Sequence, residues 1–452
     1  MEIKSFRLIN VGRFSDLEVA LAPTERHSSK VTVLVGNNGA GKTTLLKSVA
    51  TSLSWLVARI KSPKGNGTRI DEGTVQNGTA TSAIHLKVSD ESTLDSIIGG
   101  SIFHWEITAT RKGRNASSAT MLSELNMLAD AYRTELTAQG AASLPLVAFY
   151  PVERSVIEIP LKIHASHTFD QLDGYDNALA RGVDFRRFFE WFREREDSEN
   201  EAGLSEEVLS ELSRKFTPDT HIWKELSRQH ASSRDRQLTA VRSAVEAFMP
   251  DFSKLRVKRK PRLHMAIDKD GKTLNVAQLS QGEKSMMALV GDIARRLAMM
   301  NPSLENPLHG KGVVLIDEVD LHLHPKWQRS LIEQFTKTFP NCQFLMTTHS
   351  SLVISDSKDV LVYVMDEGEL REQDNLYGLD ANQVLSGVMD TDIRNQAVQA
   401  CLDEIQFFLS RGELDEARTI YGILASQLPA DHIELAKSSL LIRKLELRSE
   451  KD

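Results

Sequence analysis

The hydrophobic pattern changes period along this chain, and the changes mark out a succession of strands and helices. Residues 1–35 follow strand patterning: Ile3 to Ile9, a turn at Asn10-Val11-Gly12-Arg13-Phe14, Leu17 to Leu21, and an unbroken apolar run from Val31 to Val35. From Thr43 the repeat lengthens and places Leu45, Leu46, Val49 and Leu53 on one helical face. Residues 60–82, rich in Gly, Ser, Thr and Asn, predict an exposed loop, and Ala83–Val88 with Ile102–Thr110 predicts a β pair. A helix over Thr120–Gln139 and a buried strand at Leu146–Tyr150 follow.

From Asp184 to about Phe248 the pattern is helical and highly charged, and without a sustained heptad it predicts a helical subdomain and not a long coiled-coil arm. Phe188, Phe189, Trp191 and Phe192 lie there at helical spacing beside Arg186 and Arg187, which reads as core. Residues 254–277 predict a hairpin turning at Asp270-Gly271, and Ser280–Met300 a helix with Met286, Leu289, Ile293 and Leu297 on one face. Two further buried strands, Val313–Ile316 and Phe344–Met346, flank a helix over Lys326–Phe339. From Asp392 onward the pattern is wholly helical, broken near Gly412 and Pro429. The fold class is α/β with a helical subdomain and a helical tail.

Composition adds bounds. The 452 residues, 41% hydrophobic, suffice for two or more domains, and the net charge of −7 is spread so evenly that any nucleic-acid contact must come from a local basic surface. The densest basic run is Lys254, Arg256, Lys258, Arg259, Lys260 and Arg262; a solvated face is its first reading and a phosphate-contacting strip its second. Cys342 and Cys401 read as buried free thiols in a reducing cytosol. The start carries no signal-like segment and no 18 apolar residues run together, so a cytoplasmic chain with no membrane contact is expected.

Chemistry concentrates in three places. Gly36-Asn37-Asn38-Gly39-Ala40-Gly41-Lys42-Thr43 fits G-x-x-x-x-G-K-[ST] between a strand and a helix, where backbone N–H groups and a helix N-terminus surround phosphate oxygens. Lys42 would reach the β/γ-phosphates and Thr43 would ligate Mg²⁺; Asn37, Asn38, Gly39, Ala40, Gly41 and Thr44, with Arg13 in the preceding turn, complete the nucleotide-binding candidates. Gly312–Ile316 is an apolar strand that delivers Asp317 and Glu318 at its C-terminal end, Asp317 as a metal ligand and Glu318 as the group that activates water. Adjacent strand positions point to opposite faces, so these two carboxylates are expected to diverge. Leu279-Ser280-Gln281-Gly282-Glu283 satisfies a capping box through Ser280 and Glu283, and the same helix N-terminus is an anion site. His322 and His324 have a spacing unsuited to a helical metal pair and read as the entry to the next helix.

Phosphate loop, L-S-Q-G-E segment, I-D-E strand, Val319-Asp320 and Thr347-Thr348-His349 together resemble, in that order, the ATP-binding-cassette (ABC-type) P-loop ATPases. The resemblance implies a RecA-like sheet with an antiparallel β subdomain, ATP and Mg²⁺ as ligands, and sites shared between two copies facing head to tail. Ser280 and Gly282 would then contact the partner's γ-phosphate, His349 would sense it, and Asp320 would lie in the crossing loop; Lys42, Glu318 and His349 are the catalytic set. It further implies domains at 1–154 (phosphate-loop half of the head), 155–250 (helical subdomain), 251–375 (signature half) and 376–452 (helical interaction region). The family's glutamine-bearing loop falls at Tyr150-Pro151-Val152-Glu153-Arg154, where Glu153 or Arg154 stands instead.

Phe149 to Arg154, Gln278 to Lys284, Ile316 to Pro325, Tyr377-Gly378-Leu379-Asp380 and Asp415-Glu416-Ala417-Arg418 extend the resemblance to the Septu and retron-type anti-phage ATPases of the PtuA family. That family implies a homo-oligomer partnered by a separate HNH nuclease subunit (PtuB-like), contact with nucleic acid through the complex, and no nuclease site in this chain. Two alternatives stand beside it: a DNA-repair ATPase clamping duplex DNA, and a nucleotide-liganded scaffold with negligible turnover.

Overall fold

The computed structural model describes residues 1–90, 102–115, 119–152, 169–180, 183–202, 220–221, 234–389 and 391–449. Glu153 and Arg154, and much of the charged helical stretch between 203 and 233, lie outside the described residues. The chain divides into two units, Met1–Leu379 and Asp380–Asp452.

In the first unit, β1 (Glu2–Val11) and β2 (Phe14–Ala20) form a hairpin, and β3 (Val31–Gly36) runs through the phosphate loop into α1 (Lys42–Lys61). The predicted pair follows as β4 (Thr81–Ser89) and β5 (Ile102–Thr110), then α2 (Ser123–Ala138) and β6 (Leu146–Tyr150). Strands β1, β2, β4 and β5 make one antiparallel sheet in the order β2-β1-β4-β5. Helices α3 (Phe185–Ala202) and α4 (Arg236–Phe248) frame the described part of the helical stretch. The aromatics on α3 behave as their spacing predicts: Phe188, Phe189, Trp191 and Phe192 are all fully buried.

The segment expected to be one hairpin is a three-stranded sheet: β7 (Phe252–Lys258), β8 (His264–Lys269) and β9 (Lys272–Asn275), with Asp270-Gly271 turning only the second pair. Buried Phe252, Leu255 and Val257 give β7 its own inward face, a pattern obscured by the basic residues interleaved with them. Then come α5 (Gln281–Met300), β10 (Gly312–Ile316), α6 (Pro325–Thr338), β11 (Cys342–Thr348), the short α7 (Ser351–Ser355), and the antiparallel pair β12 (Leu361–Asp366) and β13 (Glu369–Gln373). The main sheet has the order β13-β12-β3-β11-β10-β6 and is parallel except for β13. β3, β6, β10 and β11 are buried nearly throughout, as parallel strands covered on both faces must be. Phe248 of α4 packs edge-on against Phe335 of α6, and Phe335 packs tilted against Phe344 of β11, with centroids 4.8 and 5.0 Å apart, which ties the helical layer to the sheet.

The expectation of a single apolar face on α5 is corrected. Every residue from Ser285 to Met300 is buried, including Asp292, Arg295 and Arg296, because strand, helix and loop elements surround the helix on all sides. Asp292 Oδ1 accepts from Arg295 at 2.7 and 3.2 Å, Asp292 Oδ2 accepts from Arg296 Nε at 2.7 Å and from the Tyr150 hydroxyl at 3.0 Å, and Arg296 Nη1 also donates to the carbonyls of Gly174 and Asp176. A helix whose polar residues pair internally can be wet on no face and still satisfy its charges.

The second unit is a helical array: α8 (Ala381–Gly387), α9 (Gln396–Arg411), α10 (Leu414–Gln427) and α11 (Ile433–Ser449). The breaks predicted near Gly412 and Pro429 fall between the last three helices. They share a core of Leu402, Ile405, Leu409, Ala417, Leu424, Leu435 and Ile442, while Phe407, Ile423, Ile433, Leu440, Leu441 and Leu447 remain exposed. Cys342 is buried as expected; Cys401 is only half-buried, since it sits at the margin of this small core.

Candidate active site

Parallel strands that emerge side by side deliver their following loops to one edge, and register makes that edge specific here. Val35 of β3 lies opposite Thr348 of β11, and Met346 of β11 lies opposite Ile316 of β10, so the loops that begin at Gly36, Asp317 and His349 leave the sheet together. The phosphate loop turns into α1 at Gly41, whose φ of 108° and whose Cα, with the Phe14 ring 2.7 Å from where a Cβ would stand, admit only glycine. Arg13 lies at the same place, its Cδ 3.3 Å from that Cβ position, which brings the β1–β2 turn against the phosphate loop. Thr44, in the first turn of α1, packs its methyl against Gly12 of the β1–β2 turn. Asn37, Asn38 and Gly39 are exposed and Ala40 is buried, its N–H bonded to the Asn37 carbonyl at 3.1 Å.

Lys42 is 6% exposed and its Nζ bridges the carbonyls of Gly36 and Asn37 at 2.7 and 3.1 Å, so the ammonium spans the loop from inside. Burial lowers its pKa from the ordinary 10.5, against the pull of Asp317, Glu318 and Asp320, which favour the charged form. Thr43 Oγ1 donates to Asp317 Oδ2 at 2.7 Å. Two cis ligands of an octahedral Mg²⁺ at about 2.0–2.1 Å stand roughly 2.9 Å apart, so this oxygen pair suits that ion. Asp317 is 1% exposed, and its other oxygen accepts from the Thr347 hydroxyl at 2.6 Å. The same hydroxyl accepts from the Glu318 N–H at 2.7 Å. Thr347 is the residue that sequence reasoning left without a role; the signal was a hydroxyl immediately inside the strand end that faces a carboxylate pair.

The divergence of Asp317 from Glu318 has a different origin from the one expected. β10 ends at Ile316, and the carboxylates separate because Glu318 takes a left-handed φ of 47°, not because a strand alternates. Such a conformation in a non-glycine residue costs on the order of 1–3 kcal/mol, and here Thr347 holds it at both ends through the Glu318 N–H and, one residue on, Val319 N–H to the Thr347 carbonyl. Asp320 accepts from the Thr348 hydroxyl, and His349 is exposed at the end of β11.

Ser280 caps α5 in the predicted box: its oxygen accepts from Glu283 N–H, Glu283 accepts from Ser280 N–H at 2.8 Å, and Lys269 Nζ holds Glu283 at 2.6 Å. A Cβ on Gly282 would stand 2.3 Å from the carbonyl oxygen of His322 in the same chain. The signature helix therefore rests against the loop after Asp320, and glycine is required there before any ligand is considered. We expect Gly282→Ala to lower stability by about 1–3 kcal/mol in urea unfolding without nucleotide; an unchanged midpoint would remove the contact from the explanation of this glycine. His324 Nδ1 accepts from Lys326 N–H at 3.2 Å, capping α6 as the entry to that helix. In the basic run, Arg256 pairs with Asp268 at 2.8 Å and Arg259 pairs with Asp197, so part of its charge is already matched.

No helix among the described residues is long and apolar enough to cross a membrane. Residues 5–217 match the family described as "AAA domain", and residues 150–355 the family "AAA domain, putative AbiEii toxin, Type IV TA system". The chain is 30% identical to the "Retron Vc95 probable ATPase" of Vibrio cholerae serotype O1 biovar El Tor, over 93% of this chain and 85% of that protein. It is 31% identical to the "Retron Ec83 probable ATPase" of Escherichia coli, over 91% of this chain and 82% of that protein. A shorter stretch, 21% of this chain and 13% of the other, is 38% identical to the "Septu protein PtuA" of Bacillus mycoides (strain KBAB4). Among solved structures, the SMC head bound to the C-terminal winged-helix domain of ScpA aligns over 82% of this chain and 97% of its own at 14% identity, with a TM-score of 0.45.

Proposed function

This chain belongs to the family of retron ATPases, and from that premise we propose that it binds and hydrolyses ATP with Mg²⁺ as the regulatory subunit of an anti-phage complex that controls a separate HNH nuclease subunit. The observation that carries the ATPase part is the convergence of Lys42, Thr43, Asp317, Glu318 and Thr347 on one edge of the parallel sheet. Lys42 and the amides of Asn38 to Thr44 would hold the phosphates, Thr43 and Asp317 would hold Mg²⁺, and Glu318 would take a proton from the attacking water. Bound there, the ion would supply positive charge to the phosphate oxygens. His349, exposed beside these groups, reports the γ-phosphate.

The site is completed in trans. Ser280 and the N-terminus of α5 face the partner's phosphate loop, with Asp320 near the crossing, in a head-to-tail dimer or a larger homo-oligomer built from it. The contact of Gly282 with His322 supports this reading, since it would make the signature helix and the crossing loop move together. The helices after Asp392, with Leu440, Leu441 and Leu447 outward, present the nuclease subunit or a further copy with an apolar surface, and nucleic acid is reached through that subunit.

The test is co-purification with the neighbouring gene product, with and without ATP, reading mass and nuclease activity. Deleting residues from Asp392 onward should release the nuclease subunit while ATP turnover persists; a truncated chain that still holds it would remove the docking assignment. Retention of ATP turnover by Lys42→Ala would remove the site assignment instead.

A further inference from the structure

At the other end of the sheet stands a cluster that the nucleotide chemistry does not use. β13 runs antiparallel beside β12, so Glu372 and Gln373 lie level with Tyr363 and Val362, and the chain emerges at Asp374 on the side where the parallel strands begin. The β2–β3 connection brings His27 to the same corner. Its Nε2 lies 3.7 Å from Glu372 Oε1 and 3.9 Å from Asp374 Oδ1, and its Nδ1 lies 3.7 Å from Asp359 Oδ1. The His27 side chain is only 14% exposed, and its Nε2 is closed to solvent with no hydrogen-bond partner. A buried imidazole nitrogen aimed at two carboxylates, with no hydrogen bond of its own, needs an explanation.

We propose that His27 Nε2, Glu372 and Asp374 form a binding site for a divalent transition ion of the Zn²⁺ type, independent of the nucleotide site. The three ligand atoms lie within 4.8 Å of one another. Ligands about 2.1 Å from a tetrahedral Zn²⁺ stand roughly 3.4 Å apart, so the ring nitrogen needs to approach the carboxylates by only a few tenths of an ångström. The mixed nitrogen and carboxylate donor set suits Zn²⁺ better than Mg²⁺.

On the other side of the ring stands a carboxylate that could become the outer partner of a metal-bound histidine. Asp359 is fixed by the N–H and hydroxyl of Ser28 at 3.0 and 2.5 Å and by the Ser29 N–H at 2.9 Å, and it presents an oxygen to Nδ1. At 3.7 Å the carboxylate is not hydrogen-bonded to Nδ1; closing that gap on metal binding would hold the proton on Nδ1 and leave the Nε2 lone pair for the ion. Arg26, 62% exposed, pairs with both Glu372 and Asp374 and already occupies the Glu372 oxygen that faces His27, so an ion must displace it there. Three carboxylates against one arginine leave the corner negative, which a divalent ion corrects. Filling it ties the β2–β3 connection to the edge strand of the sheet.

The experiment is calorimetric titration of the full-length, tag-free, metal-free chain with ZnCl₂, without nucleotide, alongside thermal melts. One Zn²⁺ per chain and a raised melting temperature are expected, both lost in His27→Ala and in Asp374→Asn. Asp359→Asn, which touches the ion only through the ring, should weaken binding about 10-fold or more. Arg26→Ala, which removes a competing cation, should bind no more weakly than the parent chain. Far-ultraviolet circular dichroism checks each fold, and should His27→Ala not fold, the half-exposed Asp374 carries the test. Absence of one-to-one binding, or binding that survives in the folded variants, as coordination by His322 and His324 would, overturns the site.

Discussion

Replacing Glu318 by Gln should lower ATP turnover by at least about 100-fold while leaving nucleotide binding intact, the effect of removing a general base from a site that keeps its phosphate and metal groups. The expectation rests on placement. Glu318 is aimed by a left-handed backbone turn that Thr347 pins from β11, and the amide isostere preserves the shape of the side chain but cannot accept the proton. Nucleotide-bound chain should therefore accumulate, and if the site is shared, a dimer should appear on size exclusion with ATP and vanish with ADP. Lys42→Ala should differ in kind: the phosphate loop would lose the ammonium that spans it, and binding itself should fall. Steady-state turnover beside equilibrium binding of a fluorescent ATP analogue separates the two variants. Turnover within about threefold of the parent in Glu318→Gln would mean that another group activates the water.

Asp292→Ala should cost about 3–5 kcal/mol of folding stability, the cost of breaking a buried ion pair from one side. Two guanidinium groups, Arg295 at 2% and Arg296 at 1% exposure, would then lose the carboxylate that joins them, and Tyr150 would lose the acceptor of its hydroxyl. Burial works to raise the Asp292 pKa, yet Arg296 and Arg295 hold it below the ordinary 3.8. A depressed carboxylate contributes stability that is full above the unfolded value and is lost as pH falls through the folded one, so the variant's deficit should be constant at neutral pH and shrink only in acid. The network joins α5, which begins at the signature, to the end of β6, from which the chain leaves toward residues 153 and 154. Loss of ATP turnover beyond that explained by the unfolded fraction would show that the joint also transmits; a stability from urea unfolding within about 0.5 kcal/mol of the parent would show that it does not even support the fold.

The local elements and the order of the chemistry are legible along the chain. Strand–glycine–helix at Val31 to Leu53, the capping box at Ser280, the strand ending in Asp317-Glu318 and the two breaks in the helical tail are local patterns, in which neighbours along the chain set backbone conformation. The structure keeps each of them. Whatever depends on residues distant in sequence is set by three-dimensional packing. That α5 is buried all round, and so needs Asp292 between two arginines and Tyr150, follows from elements 142 residues apart. That Thr347 aims Glu318, that Gly282 yields to a carbonyl of the loop at His322, and that His27 meets Glu372 and Asp374 are likewise consequences of sheet order, since parallel neighbours in space are joined by long crossovers in sequence. Periodicity reports which face of an element is apolar; it carries no information about which other element covers that face.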